Sequence, residues 1–205
     1  MRWVLPRYWP KHWFLPLALA LGRVGLTPNA LTLIGLGLSG AGAALLALGH
    51  FFLGGVMVLV SGVFDSLDGQ LARATQQSSA FGALLDSTLD RVSEAVLLFG
   101  LLVYYSGHQA QTEVLLINAT LVGSVMVSYV KARAEGLGLR CDVGWFQRPE
   151  RVVLLAVGLL ANYPTGGWAT PVVLWLLAVL TNVTAAQRVW HVWRHTHHDQ
   201  PPGGR

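Results

Sequence analysis

Long apolar stretches separated by short polar connections dominate the chain. A helix that crosses the hydrocarbon core of a bilayer needs about 20 mainly apolar residues. Stretches that approach this length lie at roughly residues 30–52, 54–74, 80–106, 112–136, 149–163 and 170–191. The pattern therefore predicts an all-α integral membrane protein with six transmembrane helices.

The composition agrees with this interpretation. Of the 205 residues, 53% are hydrophobic and only 12% are charged, which is well below the charged fraction of an ordinary soluble domain. The net charge of +4 is compatible with nucleic-acid binding, but the chain contains no nucleic-acid-binding motif. We therefore expect membrane lipid as a partner and no nucleic acid.

The distribution of lysine and arginine predicts the orientation in the membrane. These residues precede the first apolar stretch, flank the second connection at Arg73 and Arg91, surround the fourth connection and follow the last stretch. The connections near residues 50–54, 106–112 and 163–169 contain none. Because basic residues concentrate on the cytosolic side, we expect a multi-pass protein of the cell membrane with both termini in the cytosol.

Both ends of the chain differ from its apolar middle. Residues 1–24 intersperse aromatic side chains with arginine and lysine, which predicts an amphipathic helix at the cytosolic interface. Residues 25–192 make up the predicted six-helix membrane domain. Residues 193–205 end in a Pro/Gly-rich sequence, which predicts a disordered cytosolic tail.

Charged residues inside spanning segments are costly and mark functional sites, and here they are aspartates in a regular pattern. Asp65 and Asp68 are three residues apart, so they share one face of a helix. Asp86 and Asp90 are four residues apart and share a face of the next predicted helix. The complete motif is Asp65-x-x-Asp68-Gly69-x-x-Ala72-Arg73, followed by Gly82, Asp86 and Asp90.

Two facing pairs of carboxylates predict a magnesium site. Hard divalent cations prefer oxygen ligands, and two such ions a few ångströms apart can hold the attacking and leaving oxygens of a phosphoryl transfer. We therefore expect two Mg²⁺ ions per site, which Mn²⁺ can replace. Gly69 and Gly82 leave room beside the carboxylates, and Arg73 supplies a planar cation suited to phosphate.

The motif resembles the signature of the CDP-alcohol phosphotransferase family, whose members are integral-membrane enzymes that make phospholipid headgroups. The resemblance implies that CDP-diacylglycerol is the donor and that the active site faces the cytosol. It also implies that Asp65, Asp68 and Asp86 are metal ligands. Asp90 would both contact a metal and act as the catalytic general base.

The same resemblance assigns residues that contact the CDP-linked lipid. Gly69 and Arg73 match family positions that contact its nucleotide-phosphate part, and Ser79 matches a hydroxyl-bearing position near it. The positions that border the CDP site are matched by Asn29, Ala30, Leu31 and Thr32. The structural alternative is that the residues around Pro28, and Ser79, simply begin helices.

A second group of basic residues is a candidate site for the phosphate of the acceptor. The group comprises Lys131, Arg133, Arg148, Arg151 and Arg188. Residues 128–135 and 148–151 resemble the prokaryotic inositol-phosphate transferases of the family, which implies inositol 1-phosphate as acceptor and phosphatidylinositol phosphate and CMP as products. A solvated, positive-inside loop is the alternative interpretation of these cations.

Other functions stay open at this point. Glycerol 3-phosphate is also a phosphorylated alcohol that needs a basic pocket, and its use would make the protein a phosphatidylglycerophosphate synthase. A divalent-cation transporter would also line helices with carboxylates, but the outer halves of the predicted helices are mostly Leu, Val, Ala and Gly. Because family members are commonly homodimers, the resemblance makes a homodimer a candidate assembly.

Overall fold

The structure, a computed structural model, describes residues 14–198. All regular elements within these residues are α-helices, which confirms the predicted all-α class. The helices are α1 (Leu15–Arg23), α2 (Pro28–Ala47), α3 (Phe51–Ala74), α4 (Ala80–Gly107), α5 (Gln111–Gly136), α6 (Arg148–Ala161) and α7 (Ala169–His198).

The helices α2 to α7 close into a ring. Around it, α2 packs against α3 and α4, α4 packs against α5, α5 against α7, α7 against α6, and α6 against α3. The additional short helix α1 packs against α3. The outer faces of the ring expose large apolar side chains such as Phe52, Phe99 and Val122, as expected where lipid chains surround a helix bundle.

One end of the ring interior is an apolar core. Leu101, Leu159 and Leu174 are fully buried there, in a cluster that also contains Phe51 and Ile117. These residues come from the ends of α4 and α6 and from the beginnings of α3, α5 and α7. The aspartates of the motif lie toward the opposite ends of α3 and α4, so the apolar and acidic ends of the bundle are separate.

The helix boundaries follow local chemistry. Thr27 caps α2, since its hydroxyl accepts a hydrogen bond of 3.3 Å from the Ala30 amide. Ser79 caps α4 in the same way, accepting a bond of 3.0 Å from Gly82. The helix predicted to continue to residue 52 ends at Ala47, because Gly49 adopts a φ of 83° and reverses the chain.

Length and composition qualify four helices as membrane spans among the described residues: α2, α3, α5 and Ala169–Thr196 of α7. This is fewer than the six predicted from the apolar pattern. α4 carries Asp86, Asp90, Arg91 and Glu94, which lower its hydropathy. α6 has only 14 residues, so it is about 21 Å long, less than the roughly 30 Å of a hydrocarbon core.

The predicted terminal segments are only partly covered. Residues 1–13 lie outside the described part of the chain, and the rest of the predicted interfacial segment forms α1. The prediction of a disordered tail from residue 193 is wrong for its first residues, because α7 continues to His198. Thr196 still donates to the carbonyl of Val192 at 3.1 Å, and after Pro171 in the first turn of α7 no proline occurs before Pro201. Residues 199–205 lie outside the described part.

The closest approach of α2 and α4 depends on a glycine. A Cβ atom at Gly100 would lie 2.7 Å from the Cα and 2.8 Å from the carbonyl carbon of Ala43. Backbone atoms cannot move aside as a flexible side chain can, so these two helices can pack this closely only where no side chain intervenes.

We expect Gly100→Ala to destabilise the protein by about 1–3 kcal/mol, because the added methyl group overpacks the α2–α4 contact. Thermal unfolding in detergent measures this loss, at roughly 2–4 °C in Tm for each kcal/mol. Gly40→Ala is the control, since a Cβ there has no neighbouring atom within 4 Å. A Tm of Gly100→Ala equal to that of Gly40→Ala would contradict the packing described.

Candidate active site

Carboxylates from two helices converge at the acidic end of the ring. Asp65 lies in the second half of α3, and Asp86 and Asp90 lie one turn apart in the first half of α4. One oxygen from each of these three side chains lies within 4.8 Å of the others. Three hard oxygen donors this close together fit a small divalent cation such as Mg²⁺ or Mn²⁺. The structure thus brings together three of the four predicted metal ligands.

The fourth aspartate is held by a neighbouring helix. Asp68 is only 3% exposed, and its Oδ2 accepts a hydrogen bond of 2.6 Å from the hydroxyl of Thr32 in α2. Its Oδ1 accepts from the amide of Gly69. A short bond from a hydroxyl to a carboxylate is among the stronger hydrogen bonds in proteins, so Thr32 fixes the orientation of Asp68.

An arginine from α6 enters the acidic site. Nη1 of Arg148 contacts the carboxylate of Asp65 and lies 3.0 Å from Oδ2 of Asp90. These side chains are between 16% and 27% exposed, so the ion pairs are shielded from solvent more than surface pairs are. Arg148 is the predicted acceptor residue that the structure places closest to the carboxylates, and it ties α6 to α3 and α4.

The predicted donor contacts lie around two glycines. Nη1 of Arg73 lies 3.3 Å from the position that a Cβ would occupy at Gly69, so the guanidinium covers this glycine. Asn29 Oδ1 and Ser79 Oγ lie 3.5 Å and 3.0 Å from the corresponding position at Gly82. The beginnings of α2 and α4 therefore meet beside the acidic site.

The remaining predicted donor residues differ in their surroundings. Leu31 is fully buried in an apolar cluster with Leu67 and Leu71, which seats α1 against α2 and α3. The backbone amide of Ala30 donates to the hydroxyl of Thr27, which caps α2. These contacts give Leu31 a packing role, whereas its neighbours Asn29 and Thr32 point toward Gly82 and Asp68.

The predicted acceptor residues lie in three places, on α6, on α7 and at the end of α5. Arg148 and Arg151 lie together on α6 and line the same cavity. Arg188 is 4% exposed and donates to the carbonyl oxygens of Val143, at 2.9 Å, and Val127, at 2.5 Å, so it ties α7 to α5 and to the loop before α6.

The other two predicted acceptor cations lie at the end of α5. Lys131 pairs with Asp142 at 2.8 Å and with Glu135 at 3.6 Å. Arg133 is exposed. The structure therefore joins Arg148 directly to the carboxylate site and gives Lys131 a partner in the loop that follows its own helix.

Glu94 was not among the predicted site residues. It forms a two-bond pair with Arg151, with distances of 2.7 Å from Nε to Oε1 and 2.8 Å from Nη2 to Oε2. The sequence does contain a signal for it, because Asp86, Asp90 and Glu94 repeat every four residues along one face of α4. The acidic face of α4 is therefore one turn longer than the motif.

A partly open pocket lies in the ring beside Arg148. About 480 Å³ of space there is not filled by protein atoms, part of it open to solvent, and side chains from all the ring helices, α2 to α7, line it. Its polar lining consists of Ser39, Ser61, Ser93, Glu94, Thr120, Arg148 and Arg151. The α6 side of the pocket thus presents two guanidinium groups, each of them paired with carboxylates.

The sequence profile that describes CDP-alcohol phosphatidyltransferases matches residues 25–184, which include the aspartates, the α6 arginines and most of the ring. The chain belongs to this family. A phosphatidylinositol phosphate synthase of Mycobacterium marinum is 42% identical over 183 residues, covering 87% of this chain and 78% of the relative.

Solved structures of a relative have the same fold. A crystal structure of Mycobacterium tuberculosis phosphatidylinositol phosphate synthase with CDP-DAG bound is 41% identical and superimposes with a TM-score of 0.81, covering 87% of this chain and 92% of the other. A second structure of that enzyme, in complex with manganese and citrate, also has a TM-score of 0.81, with coverages of 87% and 88%.

The contact between Thr32 and Asp68 leads to a test of site stability. Thr32→Val removes the hydroxyl that satisfies a buried carboxylate, so we expect a loss of about 1–3 kcal/mol in the free energy of unfolding. Thermal unfolding in detergent is the measurement. Thr196→Val is the matched control, because the exposed Thr196 hydroxyl bonds only to its own helix. Equal Tm values for the two variants would argue against the role given to Thr32.

Proposed function

We propose that the protein transfers the phosphatidyl group of CDP-diacylglycerol to inositol 1-phosphate and releases phosphatidylinositol phosphate and CMP. The observation that carries this proposal is the meeting of Asp65, Asp86 and Asp90 with Arg148, whose side chain also lines a pocket together with Arg151. The family and the 42% identity to a phosphatidylinositol phosphate synthase support the same reaction.

The proposed cofactor is Mg²⁺, replaceable by Mn²⁺, with two ions per site held by the four aspartates of the motif. The convergence of three carboxylate oxygens within 4.8 Å supports an oxygen-liganded ion here, and a relative has been crystallised with manganese. When bound, such ions would neutralise the diphosphate oxygens of the donor and the charge that develops on the departing CMP. Without them the carboxylates would repel the donor.

In the proposed reaction Asp90 acts as the general base. Its carboxylate takes the proton from a ring hydroxyl of the acceptor, and the hydroxyl oxygen attacks the phosphorus that carries the lipid. The bond from this phosphorus to the phosphate oxygen of CMP then breaks, and CMP leaves. We assign Arg73, which covers Gly69, to the nucleotide phosphates, and Asn29, Ala30, Leu31, Thr32 and Ser79 to the surroundings of the donor.

The acceptor phosphate would lie against cations of α6. Arg148 and Arg151 line the cavity beside Asp90, so a phosphate held there leaves the hydroxyl end of a small alcohol directed toward the carboxylates. We also assign Lys131, Arg133 and Arg188 to this region. A phosphorylated acceptor accounts for the cations, which an alcohol without phosphate would not require.

We further propose that α4 and α6 cross the membrane together with the four more apolar helices. Their membership in one closed ring supports this topology, because a short helix with polar ends is tolerated where its neighbours span the bilayer. Residues 25–192 would then form the membrane domain, with residues 1–24 at the cytosolic interface and the C-terminal end in the cytosol. The positions of lysine and arginine support a cytosolic active site, and the proposed assembly is a homodimer.

The choice of acceptor is tested by direct turnover. We expect the purified protein, supplied with CDP-diacylglycerol and Mg²⁺, to convert inositol 1-phosphate to phosphatidylinositol phosphate, detected by mass spectrometry of the lipid product. Glycerol 3-phosphate and unphosphorylated inositol are the comparison acceptors. Robust turnover of glycerol 3-phosphate with none of inositol 1-phosphate would reject the proposal and favour phosphatidylglycerophosphate synthesis. Uptake of Mg²⁺ by proteoliposomes without any lipid product would instead favour transport.

The role of Asp90 is tested by Asp90→Asn. Removing the general base should lower kcat by about 10²–10⁴-fold. The release of CMP measures the rate, and thermal unfolding shows that the fold is retained. Glu113→Gln is the control, because Glu113 lies in the first turn of α5, at the end of the ring away from the aspartates. Turnover by Asp90→Asn at the wild-type rate would exclude this residue as the base.

A further inference from the structure

A buried ion pair lies one helical turn beyond the carboxylates of the motif. Arg151 is only 2% exposed and the Glu94 side chain 11% exposed, so both charges are removed from solvent. Glu94 follows Asp90 by four residues on α4, which places it about 6 Å deeper along the helix axis. Such a pair is costly to bury unless the geometry is good and the remaining polar atoms have partners.

The geometry of the pair is highly directional. Nε and Nη2 of Arg151 donate to the two oxygens of Glu94 at 2.7 Å and 2.8 Å. This two-bond arrangement fixes the plane of the guanidinium. Ser124 of α5 donates to Oε1 of Glu94 at 2.9 Å, which fixes the carboxylate in turn. Helices α4, α5 and α6 are therefore joined through a single side chain, that of Glu94.

One edge of the guanidinium remains without a protein partner. Nη1 of Arg151 is buried and donates to no acceptor among the described residues, although burial of an unsatisfied donor is unfavourable. Arg151 lines the cavity together with Arg148 and Ser93. The buried Nε of Arg148, in the same cavity wall, also lacks a partner. Two unsatisfied donors in one pocket wall call for a ligand that accepts hydrogen bonds, and phosphate oxygens fit this requirement.

We propose that Glu94 is a positioning residue for the acceptor, a role that rests on the proposed function. It holds Arg151 by the Nε and Nη2 edge, so that Nη1 is directed into the cavity and donates to the phosphate of the phosphorylated alcohol. Glu94 itself does not contact the acceptor, because both its oxygens are occupied by Arg151 and Ser124. Arg151 would thus bind Glu94 with one edge of its guanidinium and the acceptor phosphate with the other.

A purely structural ion pair would have different consequences. Loss of a structural pair lowers the stability and the amount of active enzyme, and leaves the KM values of the remaining folded enzyme unchanged. Loss of a positioning contact raises the KM for the acceptor and leaves the KM for CDP-diacylglycerol unchanged, because the residues assigned to the donor, such as Arg73 and Ser79, do not line this pocket.

The test is steady-state kinetics of Glu94→Gln with both substrates varied. We expect the KM for inositol 1-phosphate to rise by about 10–100-fold, in line with the loss of a charge-assisted hydrogen bond, and the KM for CDP-diacylglycerol to stay within about twofold. Glu113→Gln, the matched control, should change neither value. Equal changes in both KM values, or an unchanged KM for the acceptor, would overturn the proposal.

A double-mutant cycle checks that Glu94 acts through Arg151. Arg151→Gln alone should raise the acceptor KM, and adding Glu94→Gln to it should raise that KM by less than about twofold further, because residues that act as a unit are not additive. If the KM of the double variant rises by the product of the two single-variant rises, Glu94 acts independently of Arg151. That result would contradict the inference.

Ser124→Ala keeps the test decisive if Glu94→Gln does not fold. It leaves the ion pair intact but removes one hydrogen bond to Glu94, so we expect a smaller rise of about two- to fivefold in the acceptor KM. No change in Ser124→Ala would overturn the proposal in that case. The two proposals fail separately: absence of wild-type turnover of inositol 1-phosphate rejects the acceptor, and the Glu94 kinetics are then measured with the phosphorylated alcohol that the wild type does use.

Discussion

Charge inside an apolar ring of helices must be paired, and this requirement organises the molecule. α6 carries two arginines, Arg148 and Arg151, one turn apart, and each meets carboxylates from the helices around it. Arg148 joins Asp65 and Asp90, while Arg151 joins Glu94. Because an unpaired buried charge is strongly destabilising, the ion pairs that join α6 to α3 and α4 are also the contacts that shape the site.

Apolar packing and the polar groups of the site lie at opposite ends of the bundle. One end is filled by leucine and aromatic side chains and holds the helices together, whereas the other end collects carboxylates, guanidinium groups and hydroxyls around a cavity. This arrangement suits a reaction between a lipid-anchored diphosphate and a small water-soluble phosphate. In the proposed reaction the acyl chains of the donor would lie among apolar helix faces, and the chemistry would take place where polar groups are already paired and oriented.

Much of the site follows from spacing within single helices. Asp86 and Asp90 share a face because they are four residues apart, and Thr27 and Ser79 begin helices because their hydroxyls accept from nearby amides. Other features required contacts between distant segments. The attachment of Asp68 to Thr32 joins residues 36 positions apart, and that of Arg148 to Asp65 joins residues 83 positions apart. The four-residue repeat places Glu94 on the acidic face of α4, but its pairing with Ser124 and Arg151 does not follow from spacing, because these partners lie on other helices.

The sequence by itself determined the all-α class, the apolar helices, the helix caps and the acidic motif of the family, since each depends on residues within a few turns of one another. Only the tertiary structure decided which cations meet which carboxylates, that Arg188 and Leu31 have packing partners, and that α7 continues to His198. The reason is that a side chain's partners depend on how neighbouring helices are rotated and aligned. Periodicity within one helix defines its faces but not the helix that each face meets.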